Sequence, residues 1–142
     1  DILYSGTVGA AMEGGIMGFR AVAVSSTARS GNNFRMCAEI VSEMLPKLLR
    51  LDYRNTIYNI NIPNVSRQEI AGTRFARLGE HTFDDHYVSE GDHFTLCGDP
   101  LESNESAEDT DVALNRRNYI TVTPLLCDRT NFALLKELPK EF

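Results

Sequence analysis

Ser5, Gly6 and Thr7 place two hydroxyls and a bare backbone where the apolar Ile2-Leu3-Tyr4 gives way to a run rich in Ala and Met. The first N–H groups of a helix lack intrahelical acceptors, and the helix dipole is positive there. Such a turn suits an anion, a phosphate above all. The same residues also suit an ordinary N-cap with no ligand, which is the commoner use of Ser and Thr at that position. A second group, His81, Asp84, Asp85, His86, Asp92 and His93, has the side-chain types that bind metals. Its surroundings read as an exposed hairpin rather than a rigid pocket, so a solvated arm is expected. The six acidic residues from Asp99 to Asp111 lack the central Gly and final Glu of a calcium loop, and they read as a solvated segment. Cys37, Cys97 and Cys127 are far apart and odd in number, with no CxxC spacing. They imply reduced thiols in a cytoplasmic protein, not a disulfide frame, a zinc site or a catalytic nucleophile.

The elements that must position these groups follow from periodicity. Residues 2–4 read as a strand that turns at Ser5-Gly6-Thr7 into a helix. Gly9, Gly14, Gly15 and Gly18 weaken that helix, and it tolerates them best where another backbone packs closely. "FRAVAVS" (19–25) has the continuous apolar run of a strand covered on both faces. Phe34, Cys37, Val41, Met44, Leu45 and Leu48 recur at helical spacing, predicting an amphipathic helix over 33–50 that Pro46 kinks or ends early. "NTIYNINIP" (55–63) alternates, with Tyr58, Ile60 and Ile62 on one face and Asn59 and Asn61 on the other. This is the βαβ rhythm of a parallel sheet.

After Pro63 the pattern changes. "TRFARLGEH" predicts a strand, and "HYVSEGDHFTLCG" a hairpin turning near Glu90-Gly91-Asp92. "NYITVTPL" (118–125) predicts a strand ended by Pro124, and "TNFALLKEL" (130–138) a short helix capped by Thr130 or Asn131. The expected organisation is one α/β domain: a layer over 1–63, a hairpin arm with an acidic loop over 72–108, and a returning strand with a terminal helix over 109–142.

At 142 residues the chain can bury roughly two-thirds of its unfolded surface in a single core. A net charge of −6 argues against a nucleic-acid polymer as partner, because no Lys/Arg cluster could neutralise a run of phosphates. Any phosphate site must then draw its positive potential from backbone N–H groups or a metal. No apolar run has membrane-spanning length, so no membrane partner is expected. Asp1 stands directly before the apolar Ile2-Leu3-Tyr4, an abrupt start that leads us to expect a further segment upstream.

Four stretches together resemble the SurE survival proteins, metal-dependent nucleotidases that remove phosphate from nucleoside monophosphates. They are "DILYSGTVGAAMEGGIMGFRAVAVS", "IYNINIPNV", "TRFARLGE" and "DTDVALNRRNYITVTPLLCDRT", and they run in family order through nearly the whole chain. The resemblance implies a Rossmann-like, mostly parallel sheet layer with a projecting β-hairpin arm and a C-terminal helix. It implies that Ser5, Gly6 and Thr7 contact the substrate phosphate. It places the ligands of a divalent metal, Mg²⁺ or Mn²⁺, upstream of Asp1, in a paired-Asp motif, a Ser and an Asn loop, none of which is in this sequence. Asp1 matches the acidic residue closing that Asn loop and is not a ligand. No catalytic residue is therefore expected in these 142 residues, and alone they are expected to be inactive. The family's use of arm and terminal helix in assembly implies a homodimer or tetramer. A non-catalytic phosphate-binding or oligomerisation module is the alternative.

Overall fold

The computed structural model describes residues 2–27, 34–79, 84–98 and 107–139. Helix α1 (Gly6–Ile16), strand β1 (Val22–Ser26), helix α2 (Phe34–Leu48) and strand β2 (Thr56–Ile62) come first, followed by strand β3 (Gly72–Phe75). A hairpin of β4 (His86–Glu90) and β5 (His93–Cys97) precedes α3 (Asp111–Arg116), β6 (Tyr119–Leu126) and α4 (Phe132–Glu137). The main sheet has the order β1-β2-β6-β3. β1 runs parallel to β2 and β3 parallel to β6, while β2 and β6 are antiparallel. The result is the expected mostly parallel α/β sheet with a separate hairpin.

The alternation in β2 sorts the two faces as expected. Tyr58, Ile60 and Ile62 join Met36, Cys37, Ile40 and Leu48 of α2, with Ile120 and Val122 of β6, in the larger core. Ile57 points the other way, to Val8 and Ala11 of α1 with Ala23 and Leu125. Asn59 and Asn61 lie on that second face. α1 can approach the sheet closely because of its glycines. A Cβ on Gly15 would stand 2.7 Å from Ile57 Cγ2 and 2.8 Å from Cys127 Sγ, and one on Gly14 would be 3.3 Å from Ala21 Cβ. Gly9 faces open space, so close packing does not account for it.

Several expectations need correction. Residues 2–4 form a turn, not a strand, with the Ser5 N–H reaching the Ile2 carbonyl. Ile2 packs on the α1 core while Tyr4 is 93% exposed, so the triplet does not share one buried face. In β1 only Ala23 is fully buried. Among the described residues β1 is an edge strand, and Val22 and Val24 are partly covered. β3 stops at Phe75, and the chain beyond it makes one parallel bridge, Arg77 to Thr110. This strand, grouped with the arm from the sequence, belongs to the main sheet.

Pro46 does not interrupt α2, since Leu49 N–H still bonds the Leu45 carbonyl, and the helix closes within its next turn. Pro124 does not end β6 either. Its register partner Tyr58 turns its N–H away, to Ala21, so the face of Pro124 toward β2 needs no donor. On the other side Ala76 N–H bonds the Val122 carbonyl, and the next donor along β6 would be residue 124. Proline therefore ends the pairing with β3 and leaves the strand itself intact.

The hairpin turns through Gly91-Asp92 as expected, with a positive φ of 67° at Gly91 alone of the two loop residues. Its register, Tyr87 opposite Leu96 and Ser89 opposite Phe94, puts Tyr87, Phe94 and Leu96 on one face of the ribbon. All three are more than half exposed. Asn131 caps α4 by accepting from Leu134 N–H at 3.0 Å, and Phe132, Leu134, Leu135 and Leu138 remain exposed.

Candidate functional site

A cleft of about 450 Å³ opens at the C-terminal ends of the parallel strands β1 and β2. This is where open α/β sheets bind ligands. α1 and α3 form its walls, and Ser25, Thr27, Asn59 and Asn61 lie along the strand ends. Strand register explains the polar floor. Ser25 pairs with Asn61 and Asn61 with Thr121, while Asn59 pairs with Thr123. Period-two alternation thus gathers amides and hydroxyls on the face opposite the α2 core. The hydroxyls of Thr121 and Thr123 are buried without a hydrogen-bond partner among the described residues.

Ser5 is the N-cap of α1, and its Oγ accepts from the Val8 N–H at 3.2 Å. Its carbonyl takes the Gly9 N–H at 2.8 Å. The cap uses an acceptor lone pair of the hydroxyl, so the Ser5 O–H remains a donor. The N–H groups of Gly6 and Thr7, first in the helix, have no intrahelical acceptor. Ser5 lines the cleft, whereas Gly6 and Thr7 are exposed beside it on the first turn. The expected three residues therefore stand together, with Ser5 alone in the wall.

Asp111 holds the opposite wall. Its Oδ1 accepts from Gly79 N–H at 2.7 Å and from Val112 N–H at 2.9 Å, and its Oδ2 lies 3.5 Å from Asn61 Nδ2. Asn115 Nδ2 donates to the carbonyls of Asn61 and Tyr119, each at 3.3 Å, tying α3 to β2 and β6. Thr110 caps α3, its Oγ1 accepting from Ala113 N–H at 3.2 Å.

The sequence reading missed Asn59, Asn61, Asp111, Asn115 and Arg116 as cleft residues. The Asn-x-Asn spacing in β2 was the available signal for the first two. The expectation that the whole acidic run is solvated is corrected for Asp111, which is buried. Asp109 and Glu108 stay exposed as expected, in surface pairs with Arg77 at 3.0 Å and Arg117 at 3.7 Å. Residues 99–106, like Asp1 and His81, lie outside the described residues. Asp84, Asp85, His86, Asp92 and His93 are exposed, and no group of three or more potential metal ligands forms among the described residues. Nor is any helix among them long and apolar enough to cross a membrane.

A sequence model of the family described as "Survival protein SurE" matches residues 1–85. The chain is similar to the 5'-nucleotidase SurE of Synechococcus elongatus, with 38% identity over 148 residues, 97% of this chain and 57% of that protein. It is also similar to the 5'/3'-nucleotidase SurE of Proteus mirabilis, 36% identical over 143 residues, 97% of this chain and 56% of the relative. The crystal structure of the SurE protein from Aquifex aeolicus superposes with a TM-score of 0.81 at 30% identity, covering 97% of this chain and 58% of that one. The chain thus spans a little over half the length of the curated relatives it matches. With a strand-end cleft, a Ser-capped helix beside it and a family match over more than half its residues, the chain belongs to the SurE survival-protein family.

Proposed function

We propose that this chain supplies the phosphate-holding half of a metal-dependent phosphohydrolase that releases phosphate from nucleoside monophosphates. The observation that carries the reading is the N-terminus of α1, capped by Ser5 and set beside the cleft at the strand ends. The relatives' description as 5'-nucleotidases supports the same chemistry. In this reading the free N–H groups of Gly6 and Thr7 and the Ser5 O–H donate to the non-reacting phosphate oxygens. The Asn59 and Asn61 amides offer neutral donors and acceptors to the rest of the substrate. Among the described residues no group of three or more potential ligands stands ready for the divalent metal, Mg²⁺ or Mn²⁺. The carboxylate of Asp111, the acidic side chain of the cleft wall, is already engaged by two backbone N–H groups. We assign the metal's ligands to the part of the protein outside these 142 residues. The three free thiols support a reducing, cytoplasmic setting.

The test uses two proteins. The complete protein with Mg²⁺ or Mn²⁺ is expected to release inorganic phosphate from a nucleoside monophosphate, and residues 1–142 alone are expected to release none. Metal-dependent release by residues 1–142 would show that the active site is misplaced. No release by the complete protein would leave a phosphate-binding or oligomerisation module.

The arm carries a second part of the proposal, a homodimer or tetramer. A two-stranded ribbon is marginal in water on its own, and here Tyr87, Phe94 and Leu96 share one exposed face. The exposed leucines of α4 add to the uncovered apolar surface. Removing residues 84–98 is expected to lower the molar mass of the complete protein in light scattering while the α/β layer keeps its circular dichroism. A monomer before and after the removal rules out assembly through the arm.

A further inference from the structure

Arg116 lines the same cleft as Ser5, from the last turn of α3. We infer that its guanidinium is a second anchor for the substrate's phosphate, added to the helix terminus; this rests on the phosphohydrolase reading above. The argument comes from how charge is distributed around the cleft. Arg117, the next residue, is turned toward Glu108 at 3.7 Å, and Arg77 pairs with Asp109 at 3.0 Å. Arg116 has no ion-pair partner among the described residues, and it is the cationic side chain of the cleft lining. The carboxylate of the same lining, Asp111, accepts backbone N–H groups of Gly79 and Val112. It is thus held by the fold and not by Arg116.

The rest of the lining is neutral: hydroxyls, amides and aliphatic side chains. A helix N-terminus offers about half an elementary charge, too little for a phosphate monoester that carries up to two. In a chain of net charge −6, long-range attraction cannot make up the difference. A guanidinium at the cleft with no ion-pair partner among the described residues supplies a full charge, a source beyond the backbone N–H groups or metal expected from the sequence, with a planar fork that fits two phosphate oxygens. The position at the C-terminal end of α3 also favours a cation there.

The test compares Arg116→Gln, Arg116→Lys and Arg117→Gln in the complete, metal-loaded protein. Binding of inorganic phosphate is read by calorimetry, and hydrolysis of a nucleoside monophosphate by kcat and KM. Arg116→Gln is expected to weaken phosphate binding and raise KM, each about tenfold, with kcat within about twofold of wild type. Arg116→Lys should recover part of the loss, since it restores the charge without the fork. Arg117→Gln should change neither quantity. A merely structural role for Arg116 would not produce the split between KM and kcat or the rescue by lysine. Unchanged phosphate affinity and KM in Arg116→Gln would overturn the inference, as would a wild-type protein that binds no phosphate. If the wild type binds phosphate yet hydrolyses no nucleotide, the phosphohydrolase reading fails, and weaker phosphate binding by Arg116→Gln still supports the anchor.

Discussion

Gly6→Val is expected to lower kcat/KM of the complete protein on a nucleoside monophosphate by about a hundredfold or more, the scale seen when one oxyanion donor is lost. Its unfolding midpoint should barely move. A Cβ at Gly6 meets nothing within 4 Å, so the helix has room for the new side chain. Valine is no worse a helix former than glycine, so no propensity cost masks the effect. The branched methyls instead occupy space beside the Gly6 and Thr7 N–H groups, where the proposed reading brings a phosphate oxygen. Gly6→Ala should fall between the two. Wild-type turnover in Gly6→Val would leave Ser5 as a plain helix cap and remove the phosphate loop from the reading.

The second large effect is on stability. Asp111→Ala should destabilise the protein by about 3 kcal/mol, because hydrogen bonds to a charged acceptor contribute about 1.5–3 kcal/mol and the abandoned donors are left without partners. The side chain is buried, and its Oδ1 is shared by the N–H groups of Gly79 and Val112. Those donors stand on the chain after β3 and at the start of α3, so one carboxylate joins two segments that are distant in sequence. Asp111→Asn keeps an acceptor oxygen and should lose about half as much. Urea unfolding of the three proteins measures this. A loss below about 0.5 kcal/mol in Asp111→Ala, the range of ordinary surface changes, would mean that water replaces the carboxylate without penalty.

Local patterns were legible where one short stretch decides the outcome. The amphipathic period of α2, the alternation of β2 and the Gly91-Asp92 turn each needed only neighbouring residues, and each has the expected form. The end of "ILY" was ambiguous, since three apolar residues carry no period that separates a strand from a turn. Pro124 misled for a different reason. Whether a proline ends a strand depends on which side lacks a donor, and that is known only once Tyr58 and Ala76 are in place. Asp111 was hidden by composition: it closes an acidic run, and only the approach of Gly79 from elsewhere in the chain makes it a buried acceptor. In the site, Ser5 was visible as a cap at a helix mouth. Arg116 was not, because its availability depends on Arg117 and Arg77 being turned toward other acids.

The sheet order β1-β2-β6-β3 carries a consequence for how the molecule is made. β1, α2 and β2 are consecutive, so their parallel pairing can form while later residues are still being synthesised. Among the described residues β3 has no neighbour at that stage. Its pairing in the main sheet is with β6, which leaves the ribosome after the arm and α3. Until Tyr119–Leu126 arrives, β2 presents an open edge and β3 waits unpaired. Pairing across such a sequence separation carries a loop-closure cost before any contact rewards it, which slows folding and prolongs exposure of apolar strands. Among the described strands, the latest in sequence is the one that joins the two parallel pairs of the sheet.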